Sequence, residues 1–320
     1  MALIDLLLGR PLATEEEKAE RIGPAKGVPI FGLDALSSAA YGPEAALTLL
    51  IPLGVAGVAY IVPISIGIIF LLAIVYFSYR QTIMAYSQGG GSYTVASENL
   101  GVWAGLLAAA SLMVDYVLTA AVGISAGVGA LISALPSLEK HTLALCLVIL
   151  IVVTLVNLRG LSETGAIFLI PTYLFVFCLL AMIVLGVIKS LAAGGHPVAV
   201  VAPARLNGAT EALGIWLLLR AFASGCTAMT GVEAVSNGVT AFREPASVTA
   251  RFTLTLVIGI LMVMLAGIGF LCKAYGVAAT PPGEPGYQSV LSQLLAAITG
   301  KGLFYGLSNR AKTTRIDPMG

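Results

Sequence analysis

Charge is what this sequence has least of. Of its 320 residues, 10% are Asp, Glu, Lys or Arg, against about 25% in an ordinary soluble domain. The formal net charge is +1, so no basic surface is available to bind nucleic acid. Histidine occurs only as His141 and His196. Neither stands in an H-E-x-x-H spacing, and neither falls in an apolar run beside a nucleophile, so the chain lacks the parts of a hydrolase and is not expected to be an enzyme. Cys146, Cys178, Cys226 and Cys272 stand singly in apolar runs without metal-ligand spacing, and are expected to be buried thiols. No secretory leader is evident: Met1–Arg10 is short and runs straight into EEEKAER at 15–21, expected to be a solvated lead-in helix.

What fills the sequence instead is hydrocarbon. Hydrophobic residues make up 58% and the mean hydropathy is +0.97. Seven runs, 29–54, 57–79, 101–134, 142–158, 164–192, 213–241 and 251–274, reach or approach the roughly 20 residues that a bilayer requires. Unbroken text such as LVIGILMVMLAGIGFL predicts helices, which satisfy their own backbone in lipid. With the N-terminus inside the cell, the inner loops collect Arg10, Lys18, Arg21, Lys26, Arg80, Arg159, Arg243 and Arg251, while the outer loops hold Lys140, Lys189 and Arg205. That asymmetry predicts an N-in, multi-pass protein of the cell membrane. The short stretch 286–299 reads as an amphipathic helix on the outside.

Polar residues inside the spans carry the functional signal, because a carboxylate at mid-membrane costs about 2.5–3.5 kcal/mol. The first span contains Asp34, Ser37, Ser38, Tyr41, Gly42, Pro43 and Glu44. Gly42-Pro43 predicts two half-helices with an unwound link, from which Asp34, Ser38 and Tyr41 face a cavity; a simple proline kink is the plainer alternative. The sixth span repeats the pattern. TGVEA at 230–234 echoes YGPEA at 41–45, with Thr230, a break at Gly231, and Glu233 as a third intramembrane carboxylate suited to a proton or charge role. Paired interruptions five helices apart are the mark of an inverted-repeat transporter. In span three, Asp115, Tyr116 and Thr119 lie within one turn, a set that suits a dehydrated monovalent cation or a proton, or alternatively bridges helices. The same span holds GISAG, which matches an esterase elbow only in spelling; Gly123 and Gly127 read better as a helix-packing face. QGGGS at 88–92 is not a Walker loop, and serves either a mobile gate or a tight turn. Arg220 either snorkels or pairs with a carboxylate.

The runs DALSSAAYGPEA, SYRQTIMAYSQGGGSYTVASENLG, LMVDYVLTAAVGISAG, LVNLRGLSETGAI and ASGCTAMTGVEAVSN resemble the amino acid–polyamine–organocation (APC) superfamily. Within it they resemble most the KimA branch of proton-coupled potassium importers, over about residues 28–307. The resemblance implies an all-α membrane protein with a LeuT-like inverted-repeat bundle of ten core helices plus two, and often a cytoplasmic domain that binds cyclic di-AMP. It also implies potassium ligands at the positions matching Asp34, Tyr41, Asp115, Tyr116, Thr119 and Thr230. A family serine ligand in span three is replaced here by Gly123, and a tyrosine of the tenth helix falls beyond the end of the chain.

After GLFYGL at 302–307 the text turns polar, so the bundle is expected to be incomplete, with about seven membrane helices of which the first and sixth are broken. The expected organisation is a cytoplasmic lead-in (1–27), a transporter core (28–275), an extracellular amphipathic region (276–300) and an atypical tail (301–320), as in a truncated form of a longer transporter. The expected function is proton-coupled uptake of K⁺ by alternating access, without a cofactor. A proton-coupled amino acid permease is the alternative, and a non-transporting membrane scaffold a remote one. Expected partners are K⁺ and H⁺ (or an amino acid), the lipid bilayer and a second copy in a homodimer.

Overall fold

A computed structural model describes residues 21–158, 161–204, 208–282 and 286–300, with 161–163 by backbone only. The lead-in before Arg21, Arg159, Arg205 and the tail 301–320 lie outside the described residues. Elsewhere the chain is helical: α1 Pro24–Phe31, α2 Leu33–Leu49, α3 Val55–Val58, α4 Ile61–Ala85, α5 Gly91–Leu100, α6 Val102–Ala134, α7 Thr142–Asn157, α8 Leu161–Ala192, α9 Ile215–Gly225, α10 Ala234–Asn237, α11 Ala246–Tyr275 and α12 Val290–Thr299. Among the described residues the nearest approach to a sheet is one parallel bridge between Ile22 and Phe242.

Five stretches are long and apolar enough to cross a bilayer: Val55–Ala85, Val102–Ala134, Pro136–Asn157, Thr164–Ala192 and Ala246–Tyr275. The two expected spans that do not qualify are the first and the sixth, each divided into shorter pieces. In the sixth, α9 passes into a 3-10 turn at Cys226–Met229, an extended Thr230 and a left-handed Gly231 (φ +77) before α10. In the first, the interruption falls at Gly32, between α1 and α2.

The expected break at Gly42-Pro43 is therefore corrected. Both residues lie within the continuous helix α2. Proline removes one amide, and the remaining ladder carries the helix past it. Gly42 serves a different purpose, since a Cβ there would come 2.5 Å from the Cβ of Ala228. Its bareness lets α2 lie directly against the unwound part of the sixth span.

The core is built on α11. Its buried Leu254, Val257, Ile258, Leu261, Leu265 and Ile268 recur at three- and four-residue spacing, one continuous stripe of the helix. That stripe packs against α1, α2, α4 and α8. By contrast α7 buries none of its residues, and Trp103, Leu107 and Ile151 point outward. Large apolar side chains on the outside are what a bilayer solvates and water does not. The cysteines follow the same division. Only Cys272 is buried, while Cys146 and Cys226 are half-buried and Cys178 is exposed, which corrects the expectation of four buried thiols.

Candidate functional site

The unwound stretch Thr230–Gly231 is where the expected residues of two spans meet. Asp34, two residues after the Gly32 interruption, lies so close to Gly231 that a Cβ there would stand 2.5 Å from Asp34 Oδ2. Glycine is needed at that position twice over, for the left-handed backbone and for the carboxylate pressed against it. One helical turn on, Ser38 Oγ sits 2.6 Å from the carbonyl oxygen of Ala35 and 2.6 Å from that of Ala228. Ser38 thus spends its hydroxyl tying α2 to the broken span, and it is fully buried, not turned to a cavity as expected. Tyr41 reaches Thr230, hydroxyl to hydroxyl, at 3.2 Å. Thr230 Oγ1 also donates to the Thr227 carbonyl at 3.0 Å.

Helix α6 supplies the opposite wall. Tyr116 accepts a hydrogen bond from Asn237 Nδ2 at 2.7 Å, and its hydroxyl also lies against the Glu233 carboxylate. Glu233 is buried, and its Oε1 has no partner among the described residues. The charge of Asp115 is felt at Asp34, Tyr41 and Glu233. Thr119, one turn along from Asp115, is buried. Neither Asp34 nor Asp115 forms a side-chain hydrogen bond or an ion pair with another described residue, and the Thr119 hydroxyl has no hydrogen-bond partner among them. Three carboxylates thus lie within electrostatic reach of one another beside the unwound stretch, and no cation among the described residues is ion-paired to any of them. Among the described residues no three His, Cys, Asp or Glu side chains converge as a metal-ion centre would require.

A family model described as amino acid permease matches residues 35–309. The potassium transporter KimA of Bacillus subtilis (strain 168) is 40% identical over 299 residues, which cover 93% of this chain and 48% of the relative. The chain belongs to the amino acid permease family of the APC superfamily. It spans about half the length of that relative, and like other members of the family it is a helical, multi-pass membrane protein.

Beside this cluster lie contacts that the sequence did not announce. Gly89, Gly90 and Gly91 all have left-handed backbone (φ +80, +93 and +45). Gly90 N–H donates to the Asn237 carbonyl at 3.3 Å, and a Cβ on Gly91 would overlap Asn237 Oδ1. Of the two readings of the glycine run, the geometry is that of a tight turn, seated on the far end of the broken span. Tyr79 of α4 lies beside Ser92 and within electrostatic reach of Glu233 and Asp115, a contact that no local sequence pattern signals.

Glu44 points the other way. It lines a cavity of about 1520 Å³ together with Ser37, Tyr41, Ser133 and Tyr287. Its Oε1 accepts from the Tyr287 hydroxyl at 2.6 Å, and its Oε2 from the Val290 amide at 3.1 Å, the first residue of α12. Burial, and then the neighbouring Glu44 charge, push the Tyr287 hydroxyl well above its ordinary pKa, so it stays a donor. Gly123 and Gly127 line the same cavity with nothing within 4 Å of an added Cβ. Their expected helix-packing role has no partner among the described residues. Arg220 is exposed.

Proposed function

We propose that this chain forms the ion-binding half of a secondary active transporter that takes up K⁺ by alternating access with proton coupling. One observation carries the reading: Asp34, close against the unwound Gly231, feels the charges of Glu233 and Asp115, and neither aspartate side chain has a hydrogen bond or ion pair among the described residues. Two carboxylates held at membrane depth need a compensating positive charge. A weakly hydrated monovalent cation fits a site made of carboxylate, hydroxyl and backbone oxygens, because such ligands replace its water shell. Asp34, Tyr41, Asp115, Tyr116, Thr119 and Thr230 are the proposed ligands, with Asp34 and Asp115 supplying the charge. Glu233, buried beside Tyr116 with one oxygen unpartnered, is the proposed proton carrier. The potassium transporter similar to this chain supports the choice of cation. The cell membrane with an inward N-terminus is the proposed setting, and a homodimer the proposed assembly.

The family also favours a second reading, a proton-coupled amino acid permease. Such a site holds a substrate carboxylate on backbone amides at the broken helix. Here the carboxylate of Asp34 occupies the approach to Gly231 and would repel one. The two readings separate in one experiment on the full-length protein, measuring K⁺ uptake in a potassium-uptake-deficient strain together with amino acid uptake. Rescue of growth at low K⁺, lost with Asp115→Asn at undiminished expression, is the expected outcome. Uptake of K⁺ that survives Asp115→Asn, or amino acid uptake without K⁺ uptake, would reject the proposal.

A further inference from the structure

A second polar cluster lies on the outer face of the bundle, where α4 and α11 pack along each other. Arg80 is five residues from the end of α4 and Arg251 five residues from the start of α11. At 1.5 Å per residue, both sit about 8 Å inside their helix ends. Centred on a hydrocarbon layer of roughly 30 Å, helices of 25 and 30 residues place the two arginines within about 4 Å of its edge, from where a guanidinium on its long stem reaches the lipid headgroups.

A string of hydrogen bonds joins the two helices there. Arg80 Nη1 donates to the Tyr76 hydroxyl at 2.9 Å. The Tyr76 and Thr255 hydroxyls are 3.0 Å apart, and Thr255 Oγ1 donates onward to the Arg251 carbonyl at 2.8 Å. The Arg80 guanidinium also stands over the Tyr76 ring, 5.8 Å from its centre. The positive charge of Arg251 reaches the same tyrosine, and its Nε is buried without a partner. No carboxylate among the described residues lies within ion-pair distance of either arginine. Thr255, Phe252 and Val248 are exposed at three- and four-residue spacing on one face of α11, and Phe77, edge-on to Tyr76, is exposed on α4.

We propose that this groove holds the phosphate of an anionic phospholipid, clamped by Arg80 and Arg251, with its acyl chains along Phe77, Phe252 and Val248. Two guanidinium forks offer the paired N–H groups that a phosphate takes best. The exposed aromatic and aliphatic rim is suited to hydrocarbon, and the depth places charge and rim at the matching layers of one lipid. The fit is one of charge and depth together, and it does not depend on what the transporter carries.

The test uses the full-length protein in neutral detergent, titrated with phosphatidylglycerol or phosphatidylcholine and read by native mass spectrometry. Phosphatidylglycerol is expected to bind about tenfold more tightly, since each arginine at the headgroup layer contributes to anionic lipid attraction. R80Q/R251Q is expected to bring the two lipids to within about twofold. K140Q, an exposed lysine at another loop, keeps the preference. Equal affinity of the unaltered protein for both lipids would overturn the proposal without reliance on any variant folding, and is the result if another part of the chain covers the groove. A preference that survives R80Q/R251Q, or that K140Q abolishes equally, would overturn it too.

Discussion

Gly231 concentrates the chemistry of this site in a residue without a side chain. Its φ of +77 costs an L-residue about 1–2 kcal/mol, and a Cβ there would displace the Asp34 carboxylate. In the full-length protein Gly231→Ala should lower uptake by roughly tenfold or more, while Gly259→Ala, which meets nothing within 4 Å, should leave it unchanged. Uptake assays on the two variants decide this, and equal activity would mean that the left-handed turn is dispensable. Asp34, Asp115 and Glu233 were legible as anomalies because a carboxylate in an apolar run demands an explanation. Asn237, Tyr79 and the seat of the glycine turn on the broken span were not legible. Their roles come from what lies opposite them across the bundle, which spacing along the chain does not encode.

At the scale of single elements, proline proved a weaker signal than glycine. Pro43 is carried within α2 while the interruptions fall at Gly32 and at Thr230–Gly231. Pro43→Ala in the full-length protein should therefore keep uptake within about threefold and should not lower the melting temperature, since alanine restores a helical amide. A large loss would restore Pro43 as a functional break. The echo between YGPEA and TGVEA does not extend to the roles of its two glutamates. Glu233 enters the oxygen cluster, whereas Glu44 clasps a short helix. That helix, α12, is tied at both ends: Glu44 receives its first amide, an acceptor placed where the helix dipole favours negative charge, and Lys189 Nζ donates to the Ile298 carbonyl at 2.6 Å. Glu44→Ala leaves the buried Val290 amide and the half-buried Tyr287 hydroxyl without their acceptor, a cost of about 1–3 kcal/mol for the buried amide. Faster amide exchange at residues 287–293 is the expected signature; unchanged protection would show that the clasp does not hold α12.

For the molecule as a whole, the stretch entering α1 is fastened to the end of the sixth span. Arg21 Nη1 pairs with Glu244 Oε1 at 2.7 Å, and Ile22 exchanges backbone hydrogen bonds with Ala241 and Arg243. The Ala246 amide, and then Arg21, hold the Glu244 carboxyl below its ordinary pKa. A depressed pKa stabilises the fold above the ordinary value and loses that contribution as pH falls through the lower, folded one. Glu244→Gln should thus melt slightly below the unaltered protein at neutral pH and together with it in acid. A pH-independent gap in thermal melts would assign the effect to packing instead.

The seven apolar runs settled, by themselves, that the chain is helical and lies in a membrane, because only helices and closed barrels satisfy a backbone in lipid. Carboxylates within apolar runs likewise settled which residues needed a purpose. Which of them meet was decided by tertiary structure. Gly42 against Ala228 and Gly231 against Asp34 set how closely the first span approaches the sixth, and that distance, a property of two segments nearly two hundred residues apart, determines whether the carboxylates form one site or several.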